Sequence, residues 1–447
     1  MKNYLITGAQ IVNEGQSFIG DVLIKNKKIS VISSDPIQKT PPDTIIIQAK
    51  GKLLMPGVID DQVHFRDPGL TYKGDLYSEA RAAVAGGTTS FMEMPNTIPQ
   101  TITTALLKDK FARASEKSLA NFSFYIGATN DNFQELKKVD RKLTCGIKVF
   151  MGASTGNMLV DQMSSLSAIF SIQDLPIAVH CEDEPMIQKN LAEYKAEYGD
   201  DIPIEFHPKI RSHQACFKSS SLALSLAKQH NTRLHIIHIS TAEELGHFRN
   251  DIPAGEKRIT SEVCIHHLWF DEKDYARKGN MIKWNPSIKL AADKAALIAA
   301  VNDGRLDVIA TDHAPHTMEE KDNPYTKAPS GGPMVQHALV AMMEYVHQGI
   351  FSLEKVVEKM CHAPADIFQI KDRGYIRVGY YADLVLVDLD DPWTINKSNL
   401  YYKCGWSPLE DTSLKSRVTH TFVNGHLVYD NGIFDESIKG QALEFNR

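Results

Sequence analysis

The sequence predicts a (β/α)8 barrel of the TIM type, accompanied by a small β-sandwich domain formed from both chain ends. Eight short apolar runs rich in β-branched residues lie between residues 58 and 314, and each ends in polar or ionisable side chains. Helix-like stretches separate most of them, whereas the two chain ends read as short strands joined by turns. Alternating strands and helices indicate a parallel α/β fold. Eight such units favour the closed barrel, whose functional groups gather at the C-terminal ends of the strands.

The predicted barrel strands can be followed in order along the chain. The eight runs comprise residues 58–65, 88–96, 121–129, 145–152, 176–183, 233–240, 259–268 and 306–314. The helix-like stretch YSEARAAVAGG precedes the second run, and FKSSSLALSLAKQHN precedes the sixth. A doubly wound open sheet is the alternative, but it would be long, and the chain lacks the GxGxxG turn of the dinucleotide-binding form.

The two chain ends are predicted to fold together. Residues 1–55 and 374–447 alternate as short strands with Gly, Asn and Pro turns, and Asn424-Gly425 and Asn431-Gly432 are hairpin signals. Each end is too short to form a large core alone. We therefore expect residues 1–55 and 374–447 to build one composite β-sandwich beside a catalytic barrel of residues 56–373.

Composition narrows the classes of function. Of the 447 residues, 43% are hydrophobic and 23% charged, the balance of a soluble globular enzyme. A net charge of −6 without a dense basic run argues against nucleic acid as a partner. No apolar run is long enough for a signal peptide or a membrane span. Six widely spaced cysteines form no CxxC pair, which favours reduced thiols. We expect a cytoplasmic protein acting on a small molecule, and leave a homodimer open.

Four predicted barrel strands supply side chains that bind metals: His64, His180, His238 and Asp312. A single histidine at the end of a strand is usually a core residue, but four candidates at the same end of one barrel indicate a site. Neutral imidazole suits zinc, and three protein ligands plus water is the usual catalytic arrangement.

Lys148 lies inside the apolar run 145–152, where a bare ammonium group would be costly to bury. One outcome is an ion pair with a neighbouring acid such as Asp312. The other is reaction of the neutral amine with carbon dioxide, which gives a carbamate able to bridge two cations. The residues alone leave both outcomes open.

The motifs resemble those of dihydroorotases and their amidohydrolase relatives over essentially the whole chain. The run PGVIDDQVHFRDPG at 56–69 resembles the signature PGxIDxHVHxRxPG. The other similar motifs are EMPNT at 93–97, GIKVFMG at 146–152, HCED at 180–183, HIS at 238–240, NPSIK at 285–289, TDHAPH at 311–316, KCGWSP at 403–408 and VTHTFVNGHLVY at 418–429. HFRDPG, MPN and DHAPH together favour dihydroorotase over the dihydropyrimidinase and allantoinase types.

The resemblance implies a metal centre. It implies that His180 and His238 bind one zinc ion, called β, that carbamylated Lys148 bridges, and that His64 and Asp312 hold a second ion, called α. Asp312 would also be the acid and base of the reaction. The implied reaction is reversible hydrolysis of the cyclic amide L-dihydroorotate to N-carbamoyl-L-aspartate, in pyrimidine biosynthesis.

The resemblance also implies a substrate site. Arg66, Asn96 and His316 would hold the substrate carboxylate, a division that suits the planar fork of arginine. Asn285 and the loop of residues 328–332 would touch the pyrimidine-like ring.

Gln62 departs from the family pattern, which has histidines at i and i+2, on one face of a strand. A neutral amide oxygen is a weak zinc ligand compared with imidazole. Asp61 is adjacent, but its opposite strand parity points it away. Three outcomes follow: an enzyme with one tightly held zinc, an enzyme with a second, weaker ion, or a non-catalytic paralogue that serves as partner of a transcarbamoylase. The intact remaining set favours an active enzyme.

Overall fold

The computed structural model describes residues 2–152 and 158–447. The N-terminal strands are β1 (Tyr4–Asn13), β2 (Gln16–Lys25), β3 (Lys28–Ser33), β4 (Ile45–Gln48) and β5 (Lys52–Pro56). The barrel strands are β6 (Val58–Val63), β7 (Thr88–Glu93), β8 (Asn121–Gly127), β9 (Gly146–Phe150), β10 (Ile177–His180), β11 (Leu234–Ile236), β12 (Ile259–Cys264) and β13 (Val308–Ala310). The C-terminal strands are β14 (Leu384–Asp388), β15 (Trp393–Thr394), β16 (Ser413–Leu414), β17 (Arg417–Val423), β18 (His426–Asp430) and β19 (Ile433–Phe434).

Helices connect and cover the barrel strands. The α-helices are α1 (Ser78–Ala85), α2 (Thr104–Lys117), α3 (Phe133–Lys138), α4 (Met163–Phe170), α5 (Glu184–Tyr198), α6 (His207–Ile210), α7 (His213–His230), α8 (Ile265–Trp269), α9 (Tyr275–Lys278), α10 (Ala291–Asp303), α11 (Met318–Lys321), α12 (Ala338–His347), α13 (Leu353–Val357) and α14 (Ala363–Phe368). Short 3-10 helices span Ile204–Phe206, Glu243–His247, Ala254–Glu256, Glu272–Asp274, Gly279–Ile282 and Lys397–Asn399, and a π-helical turn spans Glu358–His362. Among the described residues, no helix has both the length and the apolar character needed to cross a membrane.

The barrel prediction is confirmed. Strands β6 to β13 pair in sequence order, and every pair is parallel. The ring closes where His64 N donates to His313 O at 2.7 Å, beside a bridge between Val63 and His313. These strands are buried almost throughout, as expected for a sheet covered by helices on its outer face.

Each of the eight predicted runs contains one barrel strand, and the runs differ from the strands mainly at their C-terminal ends. The largest difference is in the run 259–268, where β12 ends at Cys264 and α8 begins at Ile265. His266 and His267 therefore lie on a short helix at the end of the strand. The run ITSEVCIHHL is short and has no clear period, so periodicity does not distinguish a strand from a buried helix here.

Both chain ends contribute to one further sheet, as predicted. Its order is β19-β18-β17-β14-β5-β1-β2-β3, with β4 paired to β1. Strand β5 joins the two ends because it pairs in parallel with β1 and antiparallel with β14. The strands thus belong to one nine-stranded sheet, with only β15 and β16 paired separately. The boundaries 55/56 and 373/374 stay a prediction; in the structure β5 ends at Pro56 and β6 begins at Val58.

The last residues of the chain return to the barrel. Leu443 N donates to Phe122 O at 2.8 Å, and Phe445 N donates to Lys142 O at 2.9 Å. Both side chains are buried, in a cluster with Ile59 of β6. Because Phe122 and Lys142 lie at or before the starts of β8 and β9, this segment covers the N-terminal end of the barrel and leaves the opposite end for a site.

Candidate active site

The candidate residues meet in one cavity of about 210 Å³ at the C-terminal ends of the barrel strands. This is smaller than the ~300–1,000 Å³ of pockets that hold drug-sized ligands, which suits a small substrate. All nine residues singled out in the sequence line it: His64, Arg66, Asn96, Lys148, His180, His238, Asn285, Asp312 and His316. Gln62 and Trp284 line it as well.

His64 and Asp312 meet because β6 and β13 are neighbours in the closed barrel. His64 Nε2 is 3.1 Å from Asp312 Oδ1, and His64 Nδ1 is 2.7 Å from Asn96 Oδ1. Burial lowers the pKa of His64, so the ring is neutral at pH 7. When its one N–H is donated to Asn96, the lone pair of Nε2 faces a carboxylate oxygen. Two facing acceptors at that distance are suited to a shared cation.

Gln62 contacts the same oxygen of Asp312 as His64 does. Its Nε2 donates to Asp312 Oδ1 at 3.0 Å, and its Oε1 lies 3.6 Å from Cys264 Sγ. The reverse amide orientation would bring the oxygen of Gln62 against the carboxylate, so these neighbours fix the orientation. An N–H group therefore contacts Asp312 where the family pattern has an imidazole.

His180 and His238 form the second pair. His180 Nδ1 is 2.9 Å from His238 Nε2, and His180 Nε2 is 2.9 Å from Glu182 Oε2. Burial opposes ionisation of Glu182, but the Arg211 guanidinium outweighs it and lowers the pKa of that carboxyl to about 2. The Glu182 carboxylate therefore accepts a hydrogen bond from the Nε2–H group of His180, which leaves a lone pair on His180 Nδ1. Burial keeps both imidazoles neutral, as metal ligands must be.

Lys148 is almost fully buried, and its Nζ has no hydrogen-bond partner among the described residues. The ion pair with Asp312, one of the two outcomes considered from the sequence, is not formed. Burial lowers the pKa of Lys148 to about 7, so a large fraction of the amine is neutral at physiological pH. A neutral, unpartnered amine in the cavity is the state that can react with carbon dioxide.

Arg66 and His316 form the anion-binding wall. Arg66 Nε donates to Pro315 O at 3.1 Å, which fixes the guanidinium plane, and its Nη2 is 3.0 Å from His316 Nε2. His316 Nε2 is also 3.1 Å from Ser330 O, a carbonyl that can only accept. With the ring proton on Nε2 and donated to Ser330 O, the group of this wall that brings positive charge to the cavity is the Arg66 guanidinium. A buried guanidinium suits a carboxylate.

Lys73 supports this wall, a role that no sequence motif predicts. Its Nζ lies 3.0 Å from His316 Nδ1 and 2.8 Å from Glu320 Oε1. A donor on Nδ1 leaves the ring proton of the neutral imidazole on Nε2, towards the cavity. Only spatial proximity reveals the role, because Lys73 and His316 are far apart in sequence.

Two buried lysines shape the loop of residues 328–332. Lys321 Nζ donates to the carbonyls of Pro329 and Gly331, each at 2.8 Å, and Lys283 Nζ donates to Ala328 O at 2.6 Å. Gly331 has φ +123°, and a Cβ there would lie 2.6 Å from the carbonyl of Ala314. Asn285 Oδ1, opposite this loop, is buried without a partner within the described chain, so it remains available to a ligand.

Three residues of the cavity have left-handed backbone: Arg66 at φ 69°, His238 at 43° and Asp312 at 45°. Each such conformation costs a non-glycine residue roughly 1–3 kcal/mol, and it persists where the surrounding fold imposes it. Its occurrence at these three positions turns their side chains into the cavity at the ends of the strands.

Other ionisable residues near the cavity have different roles. His313 is structural, because its Nε2 meets Glu79 at 2.9 Å and its Nδ1 accepts from Met334 N at 3.0 Å. Asp61 does not line the cavity, as its strand parity predicted. His235, His266 and His267, which had no assigned role, are all buried.

Two further groups of potential ligands lie nearby. Cys264, His266 and His267 bring their ligand atoms within 4.8 Å of one another, and so do Asp61, His235 and Glu262. Both groups are buried, and neither includes a residue of the predicted set.

Sequence comparison identifies one family. The profile of the amidohydrolase family matches residues 53–428. Dihydroorotase of Methanosarcina acetivorans is 32% identical over 400 residues, covering 87% of this chain and 84% of that protein. Dihydroorotase of Pyrococcus abyssi is 31% identical over 428 residues, covering 96% and 95%.

Structure comparison finds the same fold in proteins with another name. L-hydantoinase (dihydropyrimidinase) of Arthrobacter aurescens superposes with a TM-score of 0.92 at 27% identity, over 97% of this chain and 98% of that one. Dihydropyrimidinase of Brevibacillus agri superposes over the full length of both chains with a TM-score of 0.88 at 23% identity, a likeness that bears on the fold alone.

Proposed function

We propose that this chain, which belongs to the amidohydrolase family, is a dihydroorotase that interconverts L-dihydroorotate and N-carbamoyl-L-aspartate in pyrimidine biosynthesis. It is a metal-dependent cyclic amidohydrolase. The name of the sequence relatives supports dihydroorotate as the substrate, whereas the structural neighbours raise dihydropyrimidinase activity as the alternative.

One observation favours dihydroorotase over dihydropyrimidinase activity. The buried guanidinium of Arg66 lies in the same cavity as the two candidate metal-ligand pairs. A ring substrate with a carboxylate beside a hydrolysable amide matches this cavity, because the carboxylate can bind at Arg66 while the amide lies at the candidate metal ligands. Dihydrouracil and hydantoin rings without a carboxylate would leave a buried guanidinium unpaired, which is costly.

The residues fit a zinc centre. His180 Nδ1 and His238 Nε2 converge at 2.9 Å, and a carboxylate orients the first ring, an arrangement common in zinc sites. We assign these imidazoles to the tightly held zinc, with Lys148 as its carbamylated partner. When bound, zinc supplies Lewis acidity and lowers the pKa of water at the site to about 7. Carbamylation joins Nζ of the neutral amine to the carbon of carbon dioxide and releases a proton.

The residues of the chain divide the remaining work. Arg66, His316 and Asn96 bind and orient the substrate carboxylate, while Asn285 and the loop of residues 328–332 hold the ring. Asp312 accepts the proton of the attacking water as its oxygen bonds to the amide carbon. It then returns that proton to the ring nitrogen as the C–N bond breaks. Ring closure runs through the same steps in reverse.

Gln62 supports a single tightly held ion. Its amide N–H already bonds Asp312 Oδ1 at 3.0 Å, so this carboxylate is oriented by the hydrogen bond from Gln62. Any second ion would have to compete with the bond from Gln62, and we expect its affinity to be low.

Removing either imidazole of the His180–His238 pair should remove the cavity's tightly held ion. We expect His180→Ala and His238→Ala each to lose about one chelator-exchangeable zinc per chain and nearly all turnover, because three protein ligands are the usual minimum. His230→Ala, at the end of α7, is the matched control. Metal analysis after dialysis checks this, and full zinc content in both variants would contradict the assignment.

Restoring a second imidazole should rebuild the second site. We expect Gln62→His to raise the exchangeable metal towards about two ions per chain, because His64 and Asp312 are already in place. Gln62→Leu, which also breaks the bond to Asp312 but adds no ligand, is the control. Equal metal content in Gln62→His and the parent protein would show that the α site is lost for other reasons.

The function is tested by the unmodified protein. Turnover of dihydroorotate that a chelator abolishes and zinc restores is the expected result. An absence of turnover between about pH 6 and 9 with zinc present, together with tight binding of a transcarbamoylase, would make the chain a structural paralogue. Free thiols at all six cysteines agree with the cytoplasm as its location.

A further inference from the structure

A second group of ionisable side chains lies inside the barrel, away from the cavity. Asp61 on β6, His235 on β11 and Glu262 on β12 are 0%, 1% and 0% exposed. None of them lines the cavity, and the mechanism above uses none of them. Phe368, 5.5 Å from the His235 ring, lies on their other side, towards the closed end of the barrel.

Their free ligand atoms point towards a common space. His235 Nε2 is 3.1 Å from Asp61 Oδ2 and 3.6 Å from Glu262 Oε2. Neither approach has hydrogen-bond geometry, and both oxygens of Asp61, Oε2 of Glu262 and Nε2 of His235 are without hydrogen-bond partners within the described chain. These polar atoms lie close together but do not hydrogen-bond to one another, which is how ligand atoms are arranged around a metal ion.

The remaining atoms of the group are anchored elsewhere. Thr260 Oγ1 donates to Leu234 O at 3.2 Å, so it accepts from His235 Nδ1, 2.8 Å away. In the neutral ring this leaves the lone pair of Nε2 facing the carboxylates. Glu262 Oε1 accepts from His238 N at 3.2 Å and from Cys264 Sγ at 3.3 Å, which leaves Oε2 free.

The group carries excess negative charge. Among the described residues, no lysine or arginine forms an ion pair with Asp61 or Glu262. Although burial acts in the opposite direction, the two carboxylates raise the pKa of His235 to about 9, so without an ion the His235 imidazolium faces them. A divalent cation beside a neutral imidazole would take over that role.

The group formed by Cys264, His266 and His267 is less suited to an ion. Cys264 already donates to Glu262, and His267 Nε2 lies 3.1 Å from the carbonyl of Pro286. The ring of His266 is stacked on Trp284 with centroids 4.3 Å apart.

We propose that Asp61, His235 and Glu262 bind a divalent transition-metal ion, of the zinc or manganese class, inside the barrel and separate from the ion at His180 and His238. Zinc bonds to nitrogen and oxygen are about 2.0–2.2 Å long, so ligand atoms around one ion lie roughly 3–3.6 Å apart, as two of these pairs do. One imidazole with two carboxylates suits such ions. Because the site is enclosed, its ion exchanges slowly and contributes to the stability of the barrel.

Metal counting tests the proposal. After prolonged chelation, the parent protein should retain about one ion per chain, since the enclosed site exchanges slowly. Asp61→Asn, which keeps the shape but removes the charge, should lose it, and Cys264→Ser, the matched neighbour, should keep it. No chelator-resistant metal in the folded parent, or equal retention in Asp61→Asn, would overturn the proposal.

A second arm leaves the three residues unchanged. The double variant His180→Ala/His238→Ala, loaded with Co²⁺ and chelated, should keep about one ion with weak visible absorption and no strong near-ultraviolet band. A strong thiolate band would place the ion at Cys264, and no cobalt would mean no site; either result overturns the proposal. Neither experiment measures turnover, so both can be interpreted even when the dihydroorotase proposal fails.

Discussion

Replacing Asp312 with Asn is expected to lower kcat for dihydroorotate by about 10²–10⁴-fold, the usual contribution of a general acid and base. Asn has the size of Asp, and its oxygen still accepts from Gln62 Nε2, which is 3.0 Å from Oδ1. What it loses is the ability to take up and release a proton. The loss should therefore fall on kcat, with metal content and unfolding temperature close to those of the parent.

Steady-state kinetics and metal analysis on the same preparation check this expectation. Asp161→Asn, an exposed aspartate outside the cavity, is the matched control and should behave as the parent does. Parent-like kcat in Asp312→Asn would remove this carboxylate from the mechanism, whereas loss of metal with kcat would make it a ligand only.

Replacing Arg66 with Ala is expected to lower kcat/KM for dihydroorotate by about two to four decades. Removing one partner of a buried charge pair costs on the order of 3–5 kcal/mol, and each 1.4 kcal/mol is tenfold. Arg66 is 7% exposed and its plane is held by Pro315 O, so water cannot readily replace it. Arg66→Lys keeps the charge without the planar fork and should fall between the parent and Arg66→Ala.

The substrate dependence of this loss separates the two candidate activities. For 5,6-dihydrouracil, which has no carboxylate, Arg66→Ala should change kcat/KM little. Arg141→Ala, which breaks a partly exposed ion pair with Asp174, is the control for general effects of losing an arginine. An equal loss on both substrates, or a parent protein that prefers dihydrouracil, would contradict dihydroorotate as the substrate.

The barrel could be predicted from the sequence because its signal is repeated eight times. Each strand is apolar and flanked by polar residues, and no single run had to be recognised with certainty. The pairing of β5 with both β1 and β14 was not visible, because it joins distant residues such as Leu54 and Leu386 through backbone hydrogen bonds. Such pairing leaves no local pattern, so the number of sheets could not be derived.

The candidate site was predictable where strand ends carry imidazoles or carboxylates, as at His180 and Asp312. The partners that orient them were not. From the sequence, Gln62 was interpreted as the loss of a metal ligand. In the structure, its side chain also donates a hydrogen bond to Asp312. Lys73 acts on an imidazole of the cavity from a position with no motif of its own, and Glu182 does so from the HCED motif without a role that the sequence revealed. Asp61 was set aside on strand parity, which reports direction but not what lies in that direction, and nothing in the sequence assigned a role to His235.

The position of β5 in the middle of the terminal sheet has a consequence during synthesis of the chain. Leu53 and Leu54 pair with Val387 and Leu386, which the ribosome adds only after the whole barrel. At about 5–20 residues per second, β5 waits on the order of tens of seconds for its second neighbour. Throughout that interval one edge of β5 exposes unpaired N–H and C=O groups, which can pair with another chain. On a polysome, this edge is where neighbouring nascent copies are most prone to join, and where a chaperone would have most to protect.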